Sequence, residues 1–291
     1  MYNQTGDKKM NEIKNYIESL ELGGKSPLTV KAYEKDINKM VSYFKITSLS
    51  ELDNLSVNDF FEFYKSTGLK ENSLNSLIRN LYAFMNAMKI VGNVSENNAF
   101  FKVRFGGKKY VKVNTKIKPV LTSDEAEKII MAGSSTQERF MLSLMLKTAL
   151  RRSEIINIKL TDIDGCQIKI KGKGGNEFVF PLNKILCSML EEYLNERKDK
   201  SEYLFYPIRG EMSEGGKLTG TSVNNRVMAC AKRAGIDKKI TAHRLRATAI
   251  TNAAVTHGKS VAQGLARHKS GATTEIYINT QESVRDLLLE D

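Results

Sequence analysis

His243 and Arg246 stand three residues apart in a stretch of helical periodicity, a spacing that puts both side chains on one helix face. Arginine suits phosphate because it stays protonated and offers a planar fork to two oxygens. Arg151, in Ala149-Leu150-Arg151-Arg152-Ser153-Glu154, is a second candidate for such a clamp. Tyr277 follows His268 by nine residues. A phenol titrates near pH 10, so only about a thousandth is ionised at neutral pH, and a nucleophilic tyrosine needs cations or a base beside it. Lys171 and Lys173 border a glycine-rich turn from which an ammonium could deliver a proton. Taken singly, each residue has a plainer reading. The arginines could be surface ion pairs, with Glu154 as a carboxylate near Arg152; Tyr277 could be an interfacial aromatic and the lysines solvated. His257, in Thr256-His257-Gly258, reads as a helix end. No Asp/Glu cluster with metal-ligand spacing accompanies the basic residues, so the expectation is chemistry without metal or cofactor.

The charge balance points the same way. The 291 residues carry a formal net charge of +12, suited to a polyanion such as DNA. Between Phe101 and Val120 the chain has Lys102, Arg104, Lys108, Lys109, Lys112, Lys116 and Lys118 and no acidic residue. Mutual repulsion predicts an extended stretch held by a partner, and residues 101–118 read as an interdomain linker. Hydrophobic content of 41% is ordinary for a globular protein. With no membrane-length apolar run and no signal-like start, the expectation is a soluble, cytoplasmic protein without membrane contact. Cys166, Cys187 and Cys230 are widely spaced and are expected to be reduced, buried thiols.

These residues need elements to hold them. Residues 1–100 read as an all-α domain of four helices: 11–22, 28–44 opened by Pro27, one capped by Ser56 and Asp59, and 71–90. The aromatic run Phe60 to Tyr64 reads as core. Residues 119–291 form the second domain, opened by the capping box Thr122 to Glu125. The period then switches to two: Gln167 to Lys171 alternates, residues 172–176 turn, and Phe178 to Pro181 returns as a hairpin. Helices resume over 183–197, 222–234, 243–255, 260–267 and 273–277, with a short terminal helix over 284–289. The fold class is mainly α with a small antiparallel β-sheet.

Four segments resemble the catalytic boxes of the tyrosine recombinases, the lambda-integrase family. They are Thr148 to Ile155, Ile170 to Gly174 followed by Phe180-Pro181-Leu182, His243 to Thr248, and His268 to Tyr277. The N-terminal helices are similar to that family's SAM-like core-binding domain. The resemblance implies that Arg151, Lys173, His243, Arg246, His268 and Tyr277 are catalytic. Tyr277 would be the nucleophile, Arg151 and Arg246 the phosphate clamp, His243 the base, His268 a phosphate contact and Lys173 the general acid. The linker cations, with Arg152 and Arg267, would touch DNA.

The same resemblance implies site-specific recombination of duplex DNA through a covalent 3′-phosphotyrosine and a Holliday junction. The chain would act as a homotetramer on paired sites and be a monomer or weak oligomer without DNA. The segment 284–289 would dock on a neighbouring subunit, and a start so near Asn11 favours simple sites without arm binding. A type IB topoisomerase-like enzyme and a silent DNA-binding regulator remain open, as does attack in cis or in trans. Three positions depart from the family pattern: Ala149 and Arg267 stand where glycine is usual, and Lys269, after the last histidine, stands where a small polar residue is frequent.

Overall fold

The computed structural model describes residues 4–112, 119–172, 177–208, 213–214 and 216–267, with only the backbone for residues 4–10 and 213–214. The chain divides into two compact units between Lys116 and Ile117.

The first unit holds α1 (Gln4–Leu22), α2 (Pro27–Tyr43), α3 (Val57–Ser66) and α4 (Glu71–Ile90). Local chemistry sets their ends. Ser26 accepts from Thr29 N–H with Pro27 in the first turn, and Ser56 and Asp59 form a reciprocal capping box. The apolar stripe of each helix enters one core with Ile37, Met40, Phe60, Phe63, Leu77, Leu81 and Phe84. A short 3-10 helix, Leu49–Asn54, adds Leu49 and Leu52 to that core and has no periodicity by which the sequence could announce it.

The described part of the expected linker, residues 101–112, packs on this unit. Phe100 and Val103 are buried, and Phe101, Phe105 and Val111 pack on the same core. Phe100 meets Phe60 edge-on at 5.3 Å and Phe105 meets Phe61 at 5.5 Å. Asn75 clips the segment by a reciprocal pair of 2.9 Å hydrogen bonds with the Val111 backbone. Aromatic burial outweighs the mutual repulsion of the cations, which stay in solvent on long stems.

The second unit holds α5 (Ser123–Met131), α6 (Thr136–Thr148), α7 (Arg152–Ile155), β1 (Ile163–Asp164), β2 (Gln167–Lys171), β3 (Glu177–Pro181), α8 (Lys184–Glu196), β4 (Ser213–Glu214), β5 (Lys217–Leu218), α9 (Gly220–Arg233), α10 (Ala242–Thr256) and α11 (Gly258–Ala266). Helix α6 is buried on nearly every face, as a central helix must be. It packs on α5, α8 and α10. Strands β1, β2 and β3 form an antiparallel sheet in which Ile168 pairs with Phe180 and Ile170 with Phe178. Ile168, Ile170 and Phe180 face the core while Lys169 and Lys171 face out.

One expectation is corrected. Cys166 and Cys187 are joined as a disulfide rather than standing as free buried thiols, while Cys230 is free and buried. The sheet brings the β1–β2 turn over the first turn of α8, which sets the two Cα atoms 5.3 Å apart although 21 positions separate them in sequence. Such proximity belongs to the fold and leaves no trace in local spacing. Among the described residues no helix is long and apolar enough to cross a membrane.

Three residues other than glycine adopt left-handed backbone: Lys45, Ala149 and Arg267. Lys45 ends α2 in a Schellman turn, with Ile46 N–H donating to Val41 O at 3.1 Å. A side chain in that conformation costs about 1–2 kcal/mol. Lys45 is exposed, so Lys45→Gly should stabilise the first unit by about 1 kcal/mol and raise its thermal midpoint by a few degrees, read by calorimetry.

Candidate active site

The candidate site is built where α6 and α11 end. Ala149 leaves α6 with φ 50° and ψ 30°, and Arg267 leaves α11 with φ 49° and ψ 44°. Both reversals free helix carbonyls that have no partner inside the helix. They also explain why glycine is the usual residue at these two places. The chain turns at Ala149 into the single turn of α7, and Arg151 sits at its N-terminus.

Glu154 is the anion of the site, with a side chain only 4% exposed. One oxygen accepts from the Arg151 guanidinium at 2.8 Å. The other accepts from the Arg151 backbone N–H at 2.7 Å and from Arg267 at 2.7 Å. Burial alone would push this carboxyl up. Arg267, then the Arg151 N–H and guanidinium, outweigh it and hold it below the usual carboxylate range.

The second arginine arrives from α10. Its guanidinium donates to the carbonyls of Ala149 and Ala266 through two short hydrogen bonds. Arg151 reaches the same Ala266 carbonyl at 3.4 Å, so the forks of Arg151 and Arg246 converge on one oxygen. Burial, then the nearby Arg151 and Arg267, pulls Arg246 down to about 10, still protonated at neutral pH. Two guanidiniums thus hold one buried carboxylate, and a third, that of Arg246, stands close enough to feel all three charges. The C-terminal ends of α6 and α11 supply the remaining negative potential through their carbonyls. A site with surplus fixed cations is poised for a phosphate.

The other sequence candidates divide. His243 is exposed on the first turn of α10, one turn before Arg246. Lys173, His268 and Tyr277 lie outside the described residues. Lys171 is exposed and stands 3.8 Å from Asp162. His257 links α10 to α11, its N–H donating to Ala253 O. In the first unit Lys102, Arg104, Lys108 and Lys112 are exposed, whereas Lys109 lies over the Tyr82 ring. Lys116 and Lys118 lie outside the described residues.

Arg152 is exposed, its guanidinium against Gly220. The carboxylate expected beside Arg152 instead serves Arg151 and Arg267, because the turn of α7 points Glu154 into the core. Arg267, expected to touch DNA, has a side chain only 7% exposed and turned to Glu154. Its left-handed backbone directs it inward, and burial next to a carboxylate keeps it there. Glu154 is the residue of the candidate site that spacing alone understated. Its signal was a carboxylate three residues after Arg151, a capping-box position as well as an ion-pair position.

A pocket with surplus cations should bind small oxyanions. Orthovanadate should raise the thermal midpoint of the second unit by about 3–6 °C at roughly ten times its dissociation constant. Arg151→Gln should lose that shift at matched ionic strength; a shift unchanged in the variant would place the anion elsewhere.

A model described as the phage integrase family matches residues 119–283, and one described as the phage integrase N-terminal SAM-like domain matches residues 13–89. Tyrosine recombinase XerA of Pyrococcus horikoshii is 29% identical over 270 residues, 91% of this chain and 87% of its own. Tyrosine recombinase XerD of Listeria innocua is 28% identical over 274 residues, 87% of this chain and 88% of its own. A lambda integrase dimer bound to a COC′ core site has a TM-score of 0.70 at 18% identity, over 90% of this chain and 95% of that one. XerH recombinase in a post-cleavage complex with a palindromic difH substrate has a TM-score of 0.67 at 22% identity, over 98% and 90%. With most of both units matched and the arginine cluster in place, the chain belongs to the phage integrase family: it is a site-specific tyrosine recombinase, an enzyme of DNA strand transfer.

Proposed function

We propose that this recombinase cleaves duplex DNA by attack of the Tyr277 phenolic oxygen on a phosphodiester. The P–O5′ bond breaks, a 3′-phosphotyrosine forms, and the 5′-hydroxyl of a partner strand later reverses the step. The observation that carries this reading is the convergence of the Arg151 and Arg246 forks on the Ala266 carbonyl, with Glu154 as their one buried carboxylate among the described residues. Those forks would bind the two non-bridging oxygens and stabilise the charge they gain as phosphorus becomes five-coordinate.

His243 would take the phenol proton, Lys173 would donate a proton to the leaving 5′-oxygen, and His268 would hydrogen-bond the phosphate. The covalent bond conserves the phosphodiester's energy, so rejoining needs no nucleotide cofactor. The guanidinium pair supplies the positive charge at phosphorus, so no step is routed through a metal.

The partners follow from the relatives. A lambda integrase tetramer has been solved on a Holliday junction, and XerH on a cleaved site. By analogy this chain would assemble as a homotetramer on two paired sites and exchange strands through a junction. The exposed Lys102, Arg104, Lys108 and Lys112, with Arg152, would follow the phosphate backbone. Segment 284–289 would dock on the neighbouring subunit.

A nicked suicide duplex tests the chemistry directly. The chain should form a covalent adduct that survives denaturation, persists in EDTA and disappears in Tyr277→Phe. An adduct still formed by that variant would remove Tyr277 from the role. Relaxation of a supercoil by isolated monomers, without exchange between two sites, would favour a topoisomerase-like activity instead. Phosphate contacts also predict a steep salt dependence: each neutralised phosphate adds about −0.9 to the slope of log affinity against log salt. Lys102→Ala should lower the magnitude of that slope by about one contact without changing sequence preference.

A further inference from the structure

Arg267 stands apart from the other cations of the site. It occupies a left-handed backbone position, yet its side chain is buried and partnered from four directions. Its fork donates to Glu154 at 2.7 Å. It reaches the Thr148 and Ala149 carbonyls at 3.4 Å each and its own neighbour Leu265 O at 3.2 Å. Its guanidinium carbon lies 5.0 Å from the Phe180 ring centre and 5.9 Å from that of Phe178. It therefore ties together the end of α6, the turn of α7, the end of α11 and strand β3.

The consequence falls on Arg151. A buried carboxylate offered to one arginine is commonly taken by both prongs of the fork. Here Arg267 and the Arg151 backbone N–H hold one Glu154 oxygen, and the Arg151 guanidinium reaches only the other, through a single nitrogen. The second nitrogen of that fork has only long contacts, 3.4 Å to Ala266 O and 3.3 Å to Arg267 O. The Arg151 side chain also remains 39% exposed while Arg267 and Glu154 are sealed. Arg267 thus takes up carboxylate capacity that would otherwise draw Arg151 into a closed, two-pronged ion pair.

We infer that Arg267 is a positioning residue for strand transfer: by sharing Glu154 it keeps one prong of the Arg151 fork available to the scissile phosphate. The inference rests on the phosphotyrosine reading above. It assigns Arg267 no contact with DNA, in contrast to the role its charge alone suggested. Glycine at 267 would relieve the backbone, and Glu154 would then be free to take both prongs of Arg151.

The test compares the full chain with Arg267→Gly and Arg267→Lys on a suicide duplex at saturating protein, beside duplex affinity and the orthovanadate shift. Arg267→Gly should cleave about tenfold to a hundredfold more slowly, with duplex affinity unchanged and most of the vanadate shift lost. Arg267→Lys keeps a cation for Glu154 and should recover part of both, and millimolar guanidinium chloride should speed Arg267→Gly but not the parent chain. Cleavage by Arg267→Gly at the parent rate would overturn the inference. So would cleavage rate, affinity and thermal midpoint falling in proportion, with Arg267→Lys no better than Arg267→Gly, because that pattern marks a merely structural side chain. If the parent chain forms no adduct, the phosphotyrosine reading fails. The vanadate shift still decides the role of Arg267, because binding the anion needs no cleavage.

Discussion

The catalytic unit turns on one buried carboxylate. Glu154 is enclosed by the protein, and an isolated carboxylate there would be protonated or expelled. It remains charged because two guanidiniums from distant parts of the chain, Arg151 and Arg267, reach it together. Such a buried pair adds little net stability over an apolar replacement, since desolvation cancels much of the attraction. Its value lies in geometry. A carboxylate that must be satisfied fixes where α7 stands against the end of α11, and so fixes where the Arg151 fork can point.

Helix ends do the rest. A helix leaves its last carbonyls without partners, and the left-handed turns at Ala149 and Arg267 aim those oxygens at the arginines. Strain at the two residues is tolerated because several hydrogen bonds over-determine each position, as expected where backbone distortion serves a site. Two residues in a rare conformation, placed at the ends of the two helices that frame one cluster, are more informative together than either alone.

Much of this was legible in the sequence, for reasons that differ by residue. Helix bounds such as Glu71–Ile90 follow from periodicity, and caps such as Ser56 and Thr122 use side chains to satisfy local N–H groups. The hairpin follows from a switch of period and a glycine-rich turn. The departures from glycine at 149 and 267 could be read as such, and the left-handed backbone that both residues adopt explains why glycine is usual there. What failed was any inference that needed distance. Residues 101–112 of the expected linker pack on the first unit, which its locally visible charge could not show, because the Phe60 and Phe61 rings that meet Phe100 and Phe105 come from α3. The Cys166–Cys187 bond and the burial of Arg267 share that cause: each partner lies many residues away and is delivered by tertiary packing.

The kind of acceptor chosen for the arginines bears on catalysis. Carboxylates could hold three guanidiniums firmly, but each would cancel a charge that the phosphate transition state requires. Backbone carbonyls are neutral dipoles: they orient Arg246 without neutralising it, and burial beside two other cations leaves its proton held less tightly than in water, near 10. An anion bound beside these guanidiniums would relieve that destabilisation, and more so as the anion gained charge. Because the dipoles are fixed by helix ends, a reaction at this cluster would need no large reorganisation, which is the condition under which electrostatic stabilisation of a transition state is strongest. A cluster with one carboxylate and three guanidiniums is therefore a poor way to stabilise a fold and a good way to hold surplus positive charge in place.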